Sequence, residues 1–412
     1  MMYIERNITE YLKNVVNNSP VTIVTGSRQV GKSTLLRRVF NDYTYVSFDD
    51  IEILELARTD VKAFFKKYNS PLIIDEFQYE PNILHEIKIK VDNLKYDKLT
   101  RNIKNENLHF ILTGSQRFET MRNVKESLAG RVSIINLYGL SSRELEGKTT
   151  KAFIPSEIDL NYKNISNQNL FEKIFVGSYP ELQHLNGRTK DEFFDNYINT
   201  YIERDIKSII DVTDKIKFVG FMRNVAARTA QELNLVDICN GLGISSVTGH
   251  KWLSLLVDTN IVFLLEPYFN NSIKRIIKRP KLHFFDTGLC TYLAGYHTIE
   301  TLERSAFSGA IFETYVITEI IKSYVNAGLS INDKFYYIRN SNNVEIDFII
   351  LDKNTIYPIE IKKSYSPPKD AIKSFSILKS ADKKIGTGFV ICNRDNCFPI
   401  DEVNYMIPAS II

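Results

Sequence analysis

One octapeptide limits what this chain can fold into. Gly26-Ser27-Arg28-Gln29-Val30-Gly31-Lys32-Ser33 reads G-x-x-x-x-G-K-S and lies between an apolar run, VTIVT (21–25), and a helical pattern, STLLRRVF (33–40). The glycines let the backbone curl until successive N–H groups point inward, and the start of the following helix adds partial positive charge. With a strand entering and a helix leaving, such a turn is a cradle for phosphate oxygens. In this pattern Lys32 reaches the β- and γ-phosphates, and the Ser33 hydroxyl is a ligand for Mg²⁺. The expected nucleotide contacts are therefore Gly26, Ser27, Arg28, Gln29, Val30, Gly31, Lys32, Ser33 and Thr34, with ATP and Mg²⁺ as cofactors.

Four more short apolar runs follow within the first 150 residues: YTYVSFD (43–49), PLIID (71–75), HFILTG (109–114) and VSIINL (132–137). Separated by helical stretches, they predict buried parallel strands and an α/β sheet covered on both faces. The chain has 412 residues, enough for about three domains at roughly 150 residues each. Its patterning separates residues 1–150, a nucleotide-binding core, from 151–225, a helical segment expected to pack as a lid. Residues 226–300 and 301–412 form two further regions. The net charge is only +3, so any basic surface must be local. Four cysteines are too few for a disulfide scaffold, and reduced thiols in a cytoplasm are the simpler reading. No apolar stretch approaches the ~20 residues of a membrane span, and the amino terminus lacks a signal-peptide core. A cytoplasmic protein with no membrane partner is expected.

The run PLIIDE places Asp75 at the carboxyl end of an apolar strand, where open α/β sheets bind their ligands. Asp75 is expected to hold Mg²⁺ through water, and Glu76 to polarise an attacking water. A further strand ends in Thr113-Gly114-Ser115, and either Thr113 or Ser115 is a candidate sensor of the γ-phosphate.

In the third region LVDICNGLG is followed by ISSVTGHKWLSLLVD, two helices joined at Gly243 with Ser245 or Ser246 as cap. The strands IVFLLEPY and KLHFFD then flank a basic segment. Helix, turn, helix and hairpin suggest a winged helix. Thr248, His250, Lys251 and Ser254 point away from the Trp252 stripe, and Lys274, Arg275, Lys278, Arg279 and Lys281 cluster between the strands. Exposed helix and basic hairpin 274–281 together suit DNA phosphates; modules of this shape also bind proteins or pack between domains. In the fourth region Asp347 lies on the strand VEIDFII, and Glu360 and Lys362 share one face of the strand YPIEIKK. Glu313 falls on the apolar side of the helix GAIFETYVITEIIKSY, where a carboxylate needs a partner or a metal.

The phosphate loop, the Asp75-Glu76 pair after the third strand and the polar sensor after the fourth resemble the AAA+ class of P-loop ATPases. That resemblance implies a role for Arg131, in LAGRVSIINL just before the fifth strand: it either reaches a neighbouring subunit's γ-phosphate in a homo-oligomer or caps a helix end. Arg28 and Arg117 are weaker candidates. The Asp347, Glu360 and Lys362 pattern resembles the metal-dependent nuclease fold with the PD-(D/E)-x-K signature, with Ile346 in place of the usual proline. It implies Mg²⁺ on Asp347 and Glu360, assistance from Glu313, and Lys362 orienting water. The whole order resembles prokaryotic AAA+ ATPases carrying a carboxy-terminal domain of unknown function 4143, through GSRQVGKST, IIDE, LTGSQ, SLAGRV, GSYPE, YIERDI, PKLHFFDTGL, FETYVITEI and EID…PIEIKK. Two readings follow. One is a DNA-directed ATPase with a nuclease-like domain; the other is a nucleotide-dependent switch whose carboxy-terminal domain is an inactive scaffold that binds protein.

Overall fold

The computed structural model describes residues 3–101, 108–114, 128–149, 151–163, 170–184, 189–202, 214–268 and 279–412. The chain divides into two compact units. One holds Glu5–Gly139 with Asp258–Asn260; the other holds Met1–Ile4, Leu140–Val257 and Ile261–Ile412.

The first unit is built on a five-stranded sheet of β1 (Val21–Thr25), β2 (Thr44–Ser47), β3 (Leu72–Asp75), β4 (Phe110–Thr113) and β5 (Val132–Asn136). Its spatial order is β2-β3-β4-β1-β5 and every pairing is parallel. Helix α1 (Thr9–Asn18) precedes β1, and α2 (Lys32–Val39), α3 (Ile51–Thr59), α4 (Val61–Lys67) and α5 (Ile83–Arg101) lie between strands. Asp50 and Asp60 start α3 and α4 by accepting hydrogen bonds from backbone N–H groups of the first turn. Alternate strand residues, Val21 and Ile23, Leu72 and Ile74, Phe110 and Leu112, share one core with Phe64, Phe65, Ile83 and Ile87. Burying each such side chain contributes roughly 1.5–3 kcal/mol. The expected α/β class is observed, with one correction. Strands β2 and β5 are not fully buried; among the described strands they are the sheet's edges, and Ile134 of β5 is 39% exposed.

The second unit contains helices α6 (Ser142–Leu145), α7 (Leu170–Val176), α8 (Lys190–Tyr201), α9 (Lys215–Ala226), α10 (Leu235–Leu242) and α11 (Ser246–Asp258). They are followed by α12 (Thr287–Leu293), α13 (Ile299–Arg304) and α14 (Ser308–Asn326). Strands β6 (Gln231–Glu232), β7 (Val262–Leu265) and β8 (Lys281–Phe284) form an antiparallel sheet in the order β6-β8-β7. Trp252 of α11 packs edge-on to Phe218 and Phe221 of α9. A seven-stranded mixed sheet holds β9 (Phe335–Arg339), β10 (Glu345–Asp352), β11 (Thr355–Lys362), β12 (Lys384–Ile385), β13 (Gly388–Cys392), β14 (Phe398–Pro399) and β15 (Asn404–Pro408). β10 and β11 form a hairpin, while β11, β13 and β15 run parallel. Helix α14 is buried along most of its length, which an apolar helix requires when it is surrounded by other elements. The two sheets meet where Pro267 bridges to Tyr337 of β9.

All four cysteines are unpaired thiols. Among the described residues no helix is long and apolar enough to cross a membrane.

Candidate functional site

The phosphate loop leaves β1 and enters α2. Gly26 has φ +149°, and a Cβ there would stand 2.1 Å from the carbonyl oxygen of Leu137, so no side chain fits. Gly31 is left-handed at the helix start (φ 92°), as is Gln29 (φ 61°). Lys32 is buried and folds back over the loop, donating from Nζ to the carbonyls of Gly26 and Ser27 at 2.9 Å each. Arg6, from the segment before α1, donates to the carbonyl of Val30 at 2.9 Å and to that of Tyr138 at 2.7 Å. It thus ties the loop's apex to the segment after β5.

The register brings the remaining groups to the same edge of the sheet. Asp75 pairs with Thr113 across β3 and β4, and Val24 pairs with Thr113 across β1 and β4. The carboxyl ends of these strands therefore stand beside the phosphate loop. Asp75 is buried and accepts a 2.6 Å hydrogen bond from the Tyr45 hydroxyl of β2. Burial first, and then Asp75, raise the Tyr45 phenol; Arg37 and a hydrogen bond with Ser33 oppose this. The Tyr45 hydroxyl thus neighbours both Ser33 and Asp75. A serine hydroxyl and a carboxylate drawn together in this way suit a hard divalent cation such as Mg²⁺.

Glu76 has left-handed backbone (φ 55°) and donates its N–H to Asp75 at 3.0 Å. Its carboxylate accepts a hydrogen bond from Gln78 Nε2. Burial, then the neighbouring Asp75 charge, push the Glu76 carboxyl above its ordinary range, while Gln78, Arg28 and Lys32 oppose the shift. Gln78 itself lies against Gly114, where a Cβ would come within 1.9 Å of its Oε1. Thr113 is fully buried, and among the described residues its hydroxyl has no hydrogen-bond partner. Ser115 and Arg117 lie outside the described residues.

Arg131 stands at the opposite end of the sheet. Val21 pairs with Val132 and Thr25 with Asn136, so the residue before β5 sits at the amino edge, away from the phosphate loop of its own chain. Its guanidinium grips Asp92 of α5 through Nε at 2.5 Å and Nη2 at 3.0 Å, holding the Asp92 carboxyl below its usual range.

A second cluster lies in the other unit. Lys362 Nζ stands 2.8 Å from Asp347 and 2.7 Å from Glu360. Asp347 also accepts from the N–H of Ile361 at 2.8 Å, and Glu360 from the hydroxyl of Ser374. Burial pushes the Glu360 carboxyl up to about 8, with Asp347 adding to it. Against its own burial, Asp347 is held low by Lys362 and Lys281. Two buried carboxylates closed on one ammonium suit a hard cation as oxygen donors.

Glu313 is placed differently. Its carboxylate lies 2.9 Å from Lys281 Nζ, and the same ammonium contacts Glu345. Among the described residues no three His, Cys, Asp or Glu side chains gather as a metal-binding group. The expected set of Glu313, Asp347 and Glu360 is therefore not assembled as a cage.

Lys281 also corrects the reading of hairpin 274–281. It is 2% exposed and points inward, because the carboxylates of α14 and β10 lie beneath β8. Lys274, Arg275 and Lys278 lie outside the described residues. On α11, His250, Lys251 and Ser254 are exposed, whereas Trp252, Leu253 and Leu256 are buried, as their spacing predicts.

Sequence reasoning overlooked Arg6, Tyr45, Gln78 and Glu345. Gln78 was within reach: two residues beyond Glu76, its amide is near enough for a local hydrogen bond. The others meet their partners through tertiary contact alone, apart from Glu345, which shares a strand face with Asp347.

A parallel sheet with a glycine-cornered phosphate loop after β1 and an acidic pair at the end of β3 defines a P-loop nucleotide-binding domain. Residues 18–146 match the family described as AAA domain, so the chain carries an AAA-type P-loop ATPase domain. Residues 308–412 match a domain of unknown function (DUF4143), and residues 167–300 another (DUF8612). The chain is similar to uncharacterized proteins of Mycobacterium bovis and Mycobacterium tuberculosis, each 23% identical over 414 residues, covering 100% of this chain and 85% of the relative. Among solved structures it is similar to a Walker-type ATPase of Pyrococcus abyssi (16% identity, 71% of this chain and 96% of that chain, TM-score 0.43). It is also similar to the ORC2 protein of Aeropyrum pernix (13% identity, 74% and 96%, TM-score 0.37).

Proposed function

We propose that the chain is a Mg²⁺-dependent ATPase whose nucleotide cycle acts on a nucleic-acid-directed carboxy-terminal half. The observation that carries the ATPase reading is the convergence of Lys32, Ser33, Asp75 and Glu76 at one sheet edge. The loop amides and Lys32 bind the triphosphate tail. Ser33 and Asp75 would hold the divalent cation, which supplies charge neutralisation at the phosphate oxygens. Glu76 accepts a proton from the attacking water, and its raised affinity for protons suits a base. Thr113, whose buried hydroxyl lacks a partner among the described residues, and Ser115 are the sensor candidates. Arg131 acts on the nucleotide of a neighbouring copy. Within this reading residues 1–150 are the ATPase core, 151–225 the lid, 226–300 a winged helix and 301–412 a nuclease-like domain.

The order β6-β8-β7 beside α10 and α11 supports the winged-helix assignment, with DNA as its partner through the exposed face of α11. Asp347 and Glu360 would hold the metal of the carboxy-terminal site, and Lys362 would stabilise charge on a phosphate.

Turnover of ATP with Mg²⁺ by the wild-type protein, lost in Lys32→Ala, tests the first half. Incubation with plasmid and linear DNA, with Mg²⁺ or Mn²⁺ and with or without ATP, tests the second. Metal-dependent cleavage removed by Lys362→Ala supports a nuclease. Its absence favours the alternative, a nucleotide-dependent switch whose carboxy-terminal domain binds a protein partner. The Lys362 ammonium, which bridges Asp347 and Glu360, supports that second reading.

A further inference from the structure

The carboxy-terminal cluster contains two lysines with unlike surroundings. Lys362, which bridges Asp347 and Glu360, has 40% of its side chain exposed. Its ammonium can swing toward water and yield its place to an incoming cation. Lys281 has 2% of its side chain exposed and lies between Glu313 and Glu345. The Tyr337 ring lies 5.3 Å from its ammonium, and the Tyr337 hydroxyl donates to the carbonyl of Arg279 two residues earlier. Arg339 supports Glu345 from the other side at 3.4 Å. Removing a buried ammonium from such a setting strands uncompensated charge. A divalent cation bound directly by Glu313 or Glu345 would stand against that ammonium, like charge on like charge in a medium that screens them poorly.

We propose that Lys281 is a resident cation of this cluster, delivered by β8, which takes Glu313 and Glu345 out of the metal-ligand set. Asp347 and Glu360 then form a site for one divalent ion, with Glu313 serving Lys281. The inference rests on the metal-site reading above and adds which carboxylates belong to it. It has a further consequence for assembly. Lys281 lies within residues 167–300, whereas its partners lie within 308–412, so the carboxy-terminal domain is electrostatically incomplete without the preceding segment.

The test is Mn²⁺ uptake by the full-length chain without nucleotide, followed by the electron paramagnetic resonance of free Mn²⁺. Asp347→Asn serves as the reference for the carboxy-terminal site. Wild type is expected to bind one more ion per chain than Asp347→Asn, and Glu313→Gln to keep that ion with affinity within about twofold. Lys281→Met is expected to bind a second ion there, because Glu313 and Glu345 lose their cation. A Glu313→Gln protein that loses the ion or binds it more than tenfold weaker overturns the proposal, even if Lys281→Met does not fold. So does a wild type that binds two. Equal uptake by wild type and Asp347→Asn would sink the underlying metal reading instead. In that case an ion gained by Lys281→Met supports the resident-cation role on its own, and failure to gain one, through lack of binding or of folding, overturns it.

Discussion

The Tyr45 hydroxyl donates to Asp75 at 2.6 Å, a bond from an edge strand to the carboxylate that closes the neighbouring strand. Tyr45 lies opposite Ile73, two residues before Asp75 in register, and its ring is covered by the Arg37 guanidinium at 4.8 Å. The bond holds Asp75 in one orientation beside Ser33. Tyr45→Phe keeps the ring and removes the donor. A hydrogen bond to a charged group is worth about 1.5–3 kcal/mol, which bounds the effect at roughly 10- to 100-fold. The expected result is a higher Mg²⁺ requirement for ATP turnover with metal-free nucleotide binding unchanged. An identical Mg²⁺ dependence would remove Tyr45 from the positioning of Asp75.

Lys32→Ala and Glu76→Gln separate binding from chemistry. Without Lys32 the loop loses the ammonium placed across it, and calorimetry should find no nucleotide uptake. Glu76→Gln should bind ATP as wild type does and turn over ~10²- to 10⁴-fold more slowly. Because burial and Asp75 raise the Glu76 carboxyl, its acid form is retained to higher pH than in an ordinary glutamate. Turnover should therefore fall on the acid side at a pH above that ordinary value. Wild-type turnover by Glu76→Gln would assign the water-polarising role elsewhere.

Arg131 sits at the sheet edge away from its own phosphate loop, so a direct catalytic effect requires a second copy. Specific ATPase activity should then rise with protein concentration, and mixing inactive Arg131→Ala with inactive Lys32→Ala subunits should restore turnover. If mixing restores nothing, the Asp92 pair is the whole of its role. Such a solvent-screened pair contributes little beyond holding the local structure.

Lys190, at the start of α8, supplies a pH test of stability. Its ammonium lies over the Phe175 ring at 3.5 Å and donates to Thr291 at 2.9 Å, and burial pushes it down to about 7 although Asp191 and Asp286 oppose the shift. A lowered lysine binds fewer protons in the folded than in the unfolded chain between that value and about 10.4. Stability therefore rises with pH across this window, by up to about 1.4 kcal/mol per pH unit. Lys190→Met should abolish this slope in denaturant titrations. An unchanged slope would assign it to other groups.

Much of the nucleotide site was legible because it is local. Phosphate loop, flanking strand and helix are contiguous, and Asp75-Glu76 ends an apolar run whose direction is set by parallel pairing. The period-two placement of Glu360 and Lys362 likewise put them on one strand face before any contact was known, with Asp347 on a preceding strand able to pair with theirs. Lys281 was misassigned for the opposite reason. In the chain it belongs to a run of basic residues, and nothing within that run records that α14 and β10 bring two carboxylates beneath it.

The sequence alone determined the turn chemistry, the strand and helix periods and the order of the parts, since each depends on residues a few positions apart. Tertiary structure decided which charges meet: Tyr45 with Asp75, Arg131 with Asp92, Lys281 with Glu313 and Glu345. Those partners are 30, 39, 32 and 64 positions apart in the chain. Only the packed core holds such residues close enough for their electrostatics to act.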